Sequence, residues 1–171
     1  AKNYWPKAGI TYEIFVQSFS DSNGDGIGDF NGVTEKLDYI KELGANAIWF
    51  MPIMPSPTYH KYDVTDYKAV HPDYGTMADF KRLLEEAHAR DIKVVIDMII
   101  NHTGSDHPWF LASKKGRENS YRDYYVWAQK DTIASYLNKK TVTLDSDNIR
   151  QWHDPGQGQD YYYGFFWGGM P

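Results

Sequence analysis

The spacing of apolar positions divides the first hundred residues into an alternation of two textures. ITYEIFVQSF (10–19) is β-branched and aromatic and predicts a strand. GVTEKLDYIKELG (32–44) carries Val33, Leu37, Ile40 and Leu43 at helical spacing, with Gly44 placed to close the helix. NAIWFMPI (46–53) is a short continuous apolar run. TMADFKRLLEEAHARD (76–91) opens with a Thr76-to-Asp79 capping-box pattern and sets Phe80, Leu83, Leu84 and Ala87 on one face. KVVIDMII (93–100) is again almost wholly apolar. Strands without polar alternation, separated by amphipathic helices, predict a parallel sheet covered on its outer face. From Asn101 to Pro171 this rhythm stops, and a stretch rich in Tyr, Gly, Asp and Asn predicts a long irregular insertion after the third strand. Such an insertion grows from the C-terminal end of a strand, where parallel α/β folds carry their ligand sites.

Composition narrows the partners. A chain of 171 residues with 42% hydrophobic and 24% charged residues is that of an ordinary globular protein. Its net charge of -5 argues against nucleic acid or an anionic membrane surface, both of which need a basic face. No apolar run approaches the roughly 20 residues of a membrane span. Nothing reads as a signal peptide either, so an extracellular or cell-surface protein would be seen here in its mature form, the periplasm and cytoplasm being the other compartments open to it. The absence of cysteine removes disulfides, thiolate metal sites and a cysteine nucleophile. Aromatic residues make up 16% of the chain, with 14 Tyr and 6 Trp, many in polar company as in SPTYHKYDVTDY and QDYYYGFFWGG. Rings with an apolar face and a polar handle suit sugars, whose C–H faces stack and whose hydroxyls hydrogen-bond; a tyrosine-rich core is the plainer reading.

Two motifs carry candidate chemistry. In SFSDSNGDGIGDFNG (18–32), Asp21, Asn23 and Asp25 with Gly26 follow the first half of an EF-hand loop, but the twelfth place, which should be a bidentate Glu, is Gly32. A Ca²⁺ site can still close with Asp29 and the Ile27 carbonyl. A solvated Asx-turn loop is the alternative, yet three carboxylates and an amide so close together repel without a cation, so Ca²⁺ is expected. In DMIINH (97–102), the strand period puts Asp97, Ile99 and Asn101 on one face and His102 at the strand's mouth. An acid in so apolar a strand is most often structural, and a histidine there could be a ligand, a proton carrier or a substrate hydrogen-bonder.

Taken together, YEIFVQSFSDSNGDGIGDFNGV, GANAIWFMPIMPSPTYHKYDVTDY, HPDYGTMADFKRLLEEAHARDIKVVIDMIINHTG and YYGFFWGGMP resemble the α-amylase family of glycoside hydrolases, family 13, in register over nearly the whole chain. The resemblance implies an α/β fold: the first three βα units of a (β/α)8 TIM barrel in residues 1–102, and the domain inserted after strand three in 103–171, both incomplete. It implies that Tyr62 stacks under the sugar at the cleavage subsite and that His102 hydrogen-bonds that sugar. Asn101 would help tie down the inserted domain, with a second calcium in many members, and Asp97 would brace the barrel interior. The Asp21–Asp29 loop would hold Ca²⁺ and fix the chain leaving strand one.

The family's catalytic carboxylates lie on later strands, so none is expected before Pro171. The function implied for the complete protein is retaining hydrolysis of α-1,4 bonds in starch or malto-oligosaccharides, by two carboxylates about 5 Å apart. An exo-acting α-glucosidase or a transglycosylase is the second reading. Many exo-acting members carry an Asp three residues before the stacking tyrosine, and Tyr59 in that place favours an open, endo-type cleft. A non-catalytic binding relative is the third, and retention of both Tyr62 and His102 argues against it. Three βα units would leave strands one and three with unpaired edges and the inner sheet face in water, so the rest of the barrel, as a continuation or a companion fragment, is an expected partner.

Overall fold

The computed structural model describes residues 9–137, 140–143, 146–156 and 158–171, with the backbone alone at 140–143 and 146–149. The chain forms two compact units, Ala1–Pro55 with Tyr59–Lys61 and Tyr67–Met98, and Ser56–Thr58 with Tyr62–Asp66 and Ile99–Pro171. The second unit thus takes two short stretches from the segment before the third strand.

The first unit is built on three parallel strands, β1 (Thr11–Ile14), β2 (Ala47–Phe50) and β3 (Lys93–Ile96), in the order β1-β2-β3. Tyr12, Ile48 and Val94 lie in register, as do Ile14, Phe50 and Ile96. This face holds the fully buried Ile14, Ile48 and Phe50, and the helices contribute Val33, Leu37, Ile40, Leu83 and Ala87 to the same class. Burying a side chain of that size is worth about 1.5–3 kcal/mol. The opposite face carries Glu13, Trp49 and Val95 in register, all exposed, Trp49 by 38% and Val95 by 39%. Among the described residues β1 and β3 have no further strand beside them.

Each strand is shorter than its apolar run. The first ends at Ile14 because the chain turns through a 3-10 segment at Val16–Ser18 into the acidic loop. The third ends at Ile96: the Asp97 amide makes a last bond to the Phe50 carbonyl, and β2 is soon followed by Pro52, which has no N–H to give. Asp97 therefore follows the strand, half-buried, with Ile99 buried and Asn101 exposed, so the three do not share one face.

The expected helix at 32–44 begins earlier and is broken. Asp29 caps α1 (Phe30–Glu35), and α2 (Leu37–Glu42) resumes after Lys36, which sits at φ -99° and ψ 3°. Val33, Leu37 and Ile40 are buried as their spacing predicts, but Leu43 falls past the last turn and is 49% exposed. Gly44 closes the segment at φ 86°, a conformation glycine adopts without cost. In α3 (Met77–Ala89) the capping box forms: Thr76 Oγ1 accepts from the Asp79 amide at 3.2 Å, and the Asp79 carboxylate accepts from the Thr76 amide at 2.8 Å.

The second unit is not irregular. Helix α4 (Pro108–Ser113) is followed by β4 (Trp127–Gln129), a hairpin of β5 (Lys140–Thr143) and β6 (Ser146–Arg150), then β7 (Trp152–His153) and β8 (Asp160–Tyr163), with an antiparallel sheet in the order β4-β8-β7. Its core is aromatic: Phe110, Tyr125 and Tyr162 are buried, with Trp109 and Trp127 packed on them. Three backbone bonds draw distant segments together, Thr103 N–H to the Pro171 carbonyl at 3.2 Å, Gly104 to Val64 at 2.7 Å and Ser105 to Gly169 at 2.9 Å. A Cβ on Gly104 would stand 2.6 Å from the Asp63 carbonyl oxygen, so only glycine fits that crossing.

Candidate active site

Tyr62 and His102, forty residues apart in sequence, meet in the second unit. His102 Nε2 lies 3.0 Å from the Tyr62 carbonyl, to which it donates as the Nε2–H tautomer, leaving Nδ1 to accept from the Asn101 amide at 3.2 Å. Burial lowers the His102 pKa, against the opposing pull of the Tyr62 bond and the Asp63 charge, which favours the neutral ring at neutral pH. A neutral imidazole fixed in one tautomer serves as a hydrogen-bonding group without carrying charge. The adjacent Asp63, 2% exposed, accepts from Ser56 Oγ at 2.6 Å and from Thr58 Oγ1, and so anchors the backbone that presents Tyr62. The phenol of Tyr62 itself is half-buried.

Two contributors escape a reading of the sequence. Asp63 looks like one more acid in a polar run, and only its burial shows its role. The Phe166 ring lies 5.5 Å from that of His102, edge to face at 75°, although Phe166 is 43% exposed. The signal for it was the aromatic trio Phe165, Phe166 and Trp167 between glycines, a polar-rich context in which exposed rings are unusual. Asp97, expected to brace the barrel interior, stands directly after β3.

The acidic loop is held by its own backbone. Gly24 and Gly26 take φ of 82° and 89°, and the chain curls so that the Asp21 carboxylate accepts from the amides of Asn23, Gly24 and Gly26 at 2.7–3.0 Å. Bonds from Gly26 and Gly24 hold the Asp21 carboxyl below the usual range. Asn23 Oδ1 accepts from Asp25, and Asp25 Oδ1 from Ile27. Asp29 is turned elsewhere: it is 5% exposed and accepts from the Ser22 amide and hydroxyl and, as the α1 cap, from Gly32 at 2.7 Å. Among the described residues no three acidic or histidine side chains are gathered as a metal site would gather them. The donor types suit a hard cation, and Asp29 already spends three of its acceptor sites on Ser22 and Gly32.

The family model for the alpha amylase catalytic domain matches residues 13–171. The chain belongs to the α-amylase family of glycoside hydrolases, family 13. It is 46% identical over 167 residues to alpha-amylase 3 of Dictyoglomus thermophilum, covering 98% of this chain and 30% of that protein. An oligo-1,6-glucosidase of Parageobacillus thermoglucosidasius is 51% identical over 124 residues, 72% of this chain and 22% of its own length. The crystal structure of an alpha-amylase from H. orenii superposes with a TM-score of 0.85 at 52% identity, covering 98% of this chain and 34% of that one. The chain therefore spans about a third or less of the length of these family 13 relatives. Its parallel sheet is the beginning of a family 13 TIM barrel, and no closed barrel is present among the described residues. Among the described residues no helix is long and apolar enough to cross a membrane.

Proposed function

We propose that the complete protein is an α-amylase-type retaining hydrolase that cleaves α-1,4 bonds in starch or malto-oligosaccharides, and that this segment supplies one wall of its sugar pocket. The observation that carries the reading is the pairing of His102 with Tyr62 beside Phe166, which joins a hydrogen-bonding imidazole to aromatic surface as a sugar ring requires. In this reading Tyr62 stacks under the sugar at the cleavage subsite, and a sugar hydroxyl hydrogen-bonds His102 by taking the place of the Asn101 amide at Nδ1. The nucleophile and the acid/base carboxylates belong to the remainder of the enzyme and work in the two-step manner of retaining glycosidases. The Tyr59 ring, 70% exposed and edge-on to Phe15 at 6.5 Å, stands where a pocket-closing acid would define an exo enzyme, which favours an open cleft.

The same reading assigns Ca²⁺ to Asp21, Asn23, Asp25, Asp29 and the Ile27 carbonyl. A bound cation there would relieve the mutual repulsion of the carboxylates and stiffen the loop that leaves β1. The same reading keeps Asn101, by the family resemblance, as an anchor of the inserted domain with a second calcium; the bond its side chain makes is to its chain neighbour His102.

A second reading, α-1,6 cleavage from a chain end, is favoured by the oligo-1,6-glucosidase relative. The deciding experiment offers the complete protein malto-oligosaccharides, starch and isomaltose and follows the anomeric configuration of the product by NMR. Internal cleavage of the α-1,4 substrates with an α product is expected. Turnover of isomaltose alone selects the second reading, and a β product overturns the retaining mechanism. In the same enzyme, His102→Ala should lower kcat by about 10-fold or more with a smaller change in KM, if its bond tightens in the transition state.

A further inference from the structure

In the second unit, the turn from Gly164 to Gly168 is held at both ends by one pair of neighbouring rings, tilted at 35° to each other. His153 on β7 and Tyr162 on β8 are register partners, their rings 5.3 Å apart. His153 Nε2 donates to the Gly164 carbonyl at 3.3 Å, and the Tyr162 hydroxyl donates to the Gly168 carbonyl at 2.7 Å. The Gly164 amide is tied in turn to the Gln151 carbonyl at 2.8 Å, and Met170 N–H returns to the Trp167 carbonyl at 3.1 Å. The His153 ring fills the mouth of the turn. A Cβ on Gly168 would stand 3.1 Å from its Nδ1, and one on Gly164 would stand 3.1 Å from its Cδ2. At Gly164 the Trp167 carbonyl oxygen, 2.7 Å from that Cβ, leaves no room for a side chain, and at Gly168 the imidazole and the Tyr162 hydroxyl crowd it.

Between those ends the turn displays Phe165, Phe166 and Trp167, exposed by 39%, 43% and 46%. A free five-residue turn with three exposed rings would sample many arrangements, and ordering it costs backbone entropy of about 1–2 kcal/mol per residue. Here the cost is offset at both ends by bonds that serve no other element, and the middle ring meets His102. We infer that His153 is a positioning residue for the sugar site: together with Tyr162 it clamps the Gly164–Gly168 turn and so fixes the contact between Phe166 and His102. The inference rests on the reading of His102 as a sugar-binding residue. His153 touches no sugar in this account. Burial also lowers its pKa, which keeps the ring in the neutral form that can donate from Nε2 while presenting a bare Nδ1 toward Gly168.

The test uses the complete protein with His153→Leu, His153→Gln and Tyr162→Phe. Leucine fills the space without a donor, glutamine returns a donor near Nε2, and phenylalanine removes only the second clamp. Two readouts are taken at a temperature where circular dichroism shows each variant folded: steady-state kinetics on a malto-oligosaccharide, and the contact between the His102 and Phe166 rings, seen by crystal structure or by nuclear Overhauser effect with selectively labelled rings. The expected result for His153→Leu is loss of the ring contact and a fall in kcat of about 10-fold with KM changed less than about 2-fold, because sub-ångström misplacement of a pocket group costs turnover. His153→Gln should restore both, and Tyr162→Phe should reproduce the leucine result in weaker form. A His153→Leu protein that melts earlier but keeps its ring contact, or loses the contact at unchanged kcat, overturns the inference. If His153→Leu does not fold, the same two readouts on Tyr162→Phe decide it by the same criteria. Should the wild type cleave no α-glucoside at all, the functional reading fails by itself, and a ring contact that persists without the His153 donor still overturns the clamp.

Discussion

Asp160 opens β8 and draws two arginines to it. Its carboxylate accepts from Arg117 Nε at 2.9 Å and Nη2 at 2.7 Å, and from Arg122 Nη2 at 2.5 Å. The two arginines are unequal, since the Arg117 side chain is 56% exposed while Arg122 is 11% exposed and lies over the Trp127 ring at 3.9 Å. An exposed pair is worth about 0.2–1 kcal/mol, whereas stranding one charge of a buried pair costs about 3–5 kcal/mol. Arg122 lies nearer the second limit but retains its aromatic neighbour, so Asp160→Asn is expected to destabilise the fold by about 2–4 kcal/mol. A double-mutant cycle should place most of that coupling on Arg122 rather than Arg117. The sign with pH follows from the direction of the shift. Bonds from Arg117 hold the Asp160 carboxyl below its ordinary 3.8; burial opposes them, and the charges of Arg117 and Arg122 and the Arg122 bond add to the lowering. The stabilisation is complete above the ordinary value and is lost as pH falls through the folded one. Urea unfolding of wild type and variant between pH 7 and pH 3 should therefore show a gap that narrows at the acid end. A difference below about 1 kcal/mol at pH 7, or one that does not change with pH, would refute the assignment of this triad as a desolvated link between β8 and the segment after α4.

Three other outcomes are expected. Gly104→Ala must push its Cβ into the Asp63 carbonyl oxygen and should cost about 1–3 kcal/mol in chemical denaturation, with a neutral effect excluding the close crossing. Thr76→Ala removes one half of the α3 capping box and should cost about 1 kcal/mol, recovered by Thr76→Ser. Chelation of divalent ions should lower the melting temperature, and Asp25→Asn should weaken Ca²⁺ binding measured by calorimetry; unchanged melting and no binding heat would leave the acidic loop as a set of Asx turns.

The parts of the fold legible in the sequence are those where one physical signal stands alone. The apolar runs at β1, β2 and β3 have no polar alternation to confuse them, and the box at Thr76 is a local motif whose partners are three residues apart. Strand lengths were not legible, because they depend on where a neighbour runs out of donors, as at Pro52. The second unit hid its strands for a different reason. Its short segments are built from tyrosine, tryptophan and histidine, whose amphipathic rings pack as core in β8 and lie exposed in the turn that follows it. At Asp29 two signals competed for one residue. An acid just before an amphipathic run marks a helix cap, and an acid closing an oxygen-rich loop marks a metal ligand; the structure shows the cap. Tyr62 and His102 could be named from the resemblance, but Asp63 and Phe166 act through burial and ring contact that the order of residues does not display.

The bonds at residues 103–105 bear on how this part of the protein is made and exchanged. Thr103, Gly104 and Ser105 take their partners alternately from residue 171, residue 64 and residue 169, so the inserted unit closes around a three-residue seam with one border drawn from far upstream and the other from residues 169–171. A ribosome that has released residue 160 has not yet supplied the second border, and the unit should acquire resistance to protease late in translation, after residue 171 clears the exit tunnel. Anyone transplanting this unit between family members faces the matching constraint. A graft that begins at residue 99 carries its new seam onto the host's old border, whereas one that also brings residues 56–66 carries both sides of the Gly104 crossing and should yield the sturdier chimera.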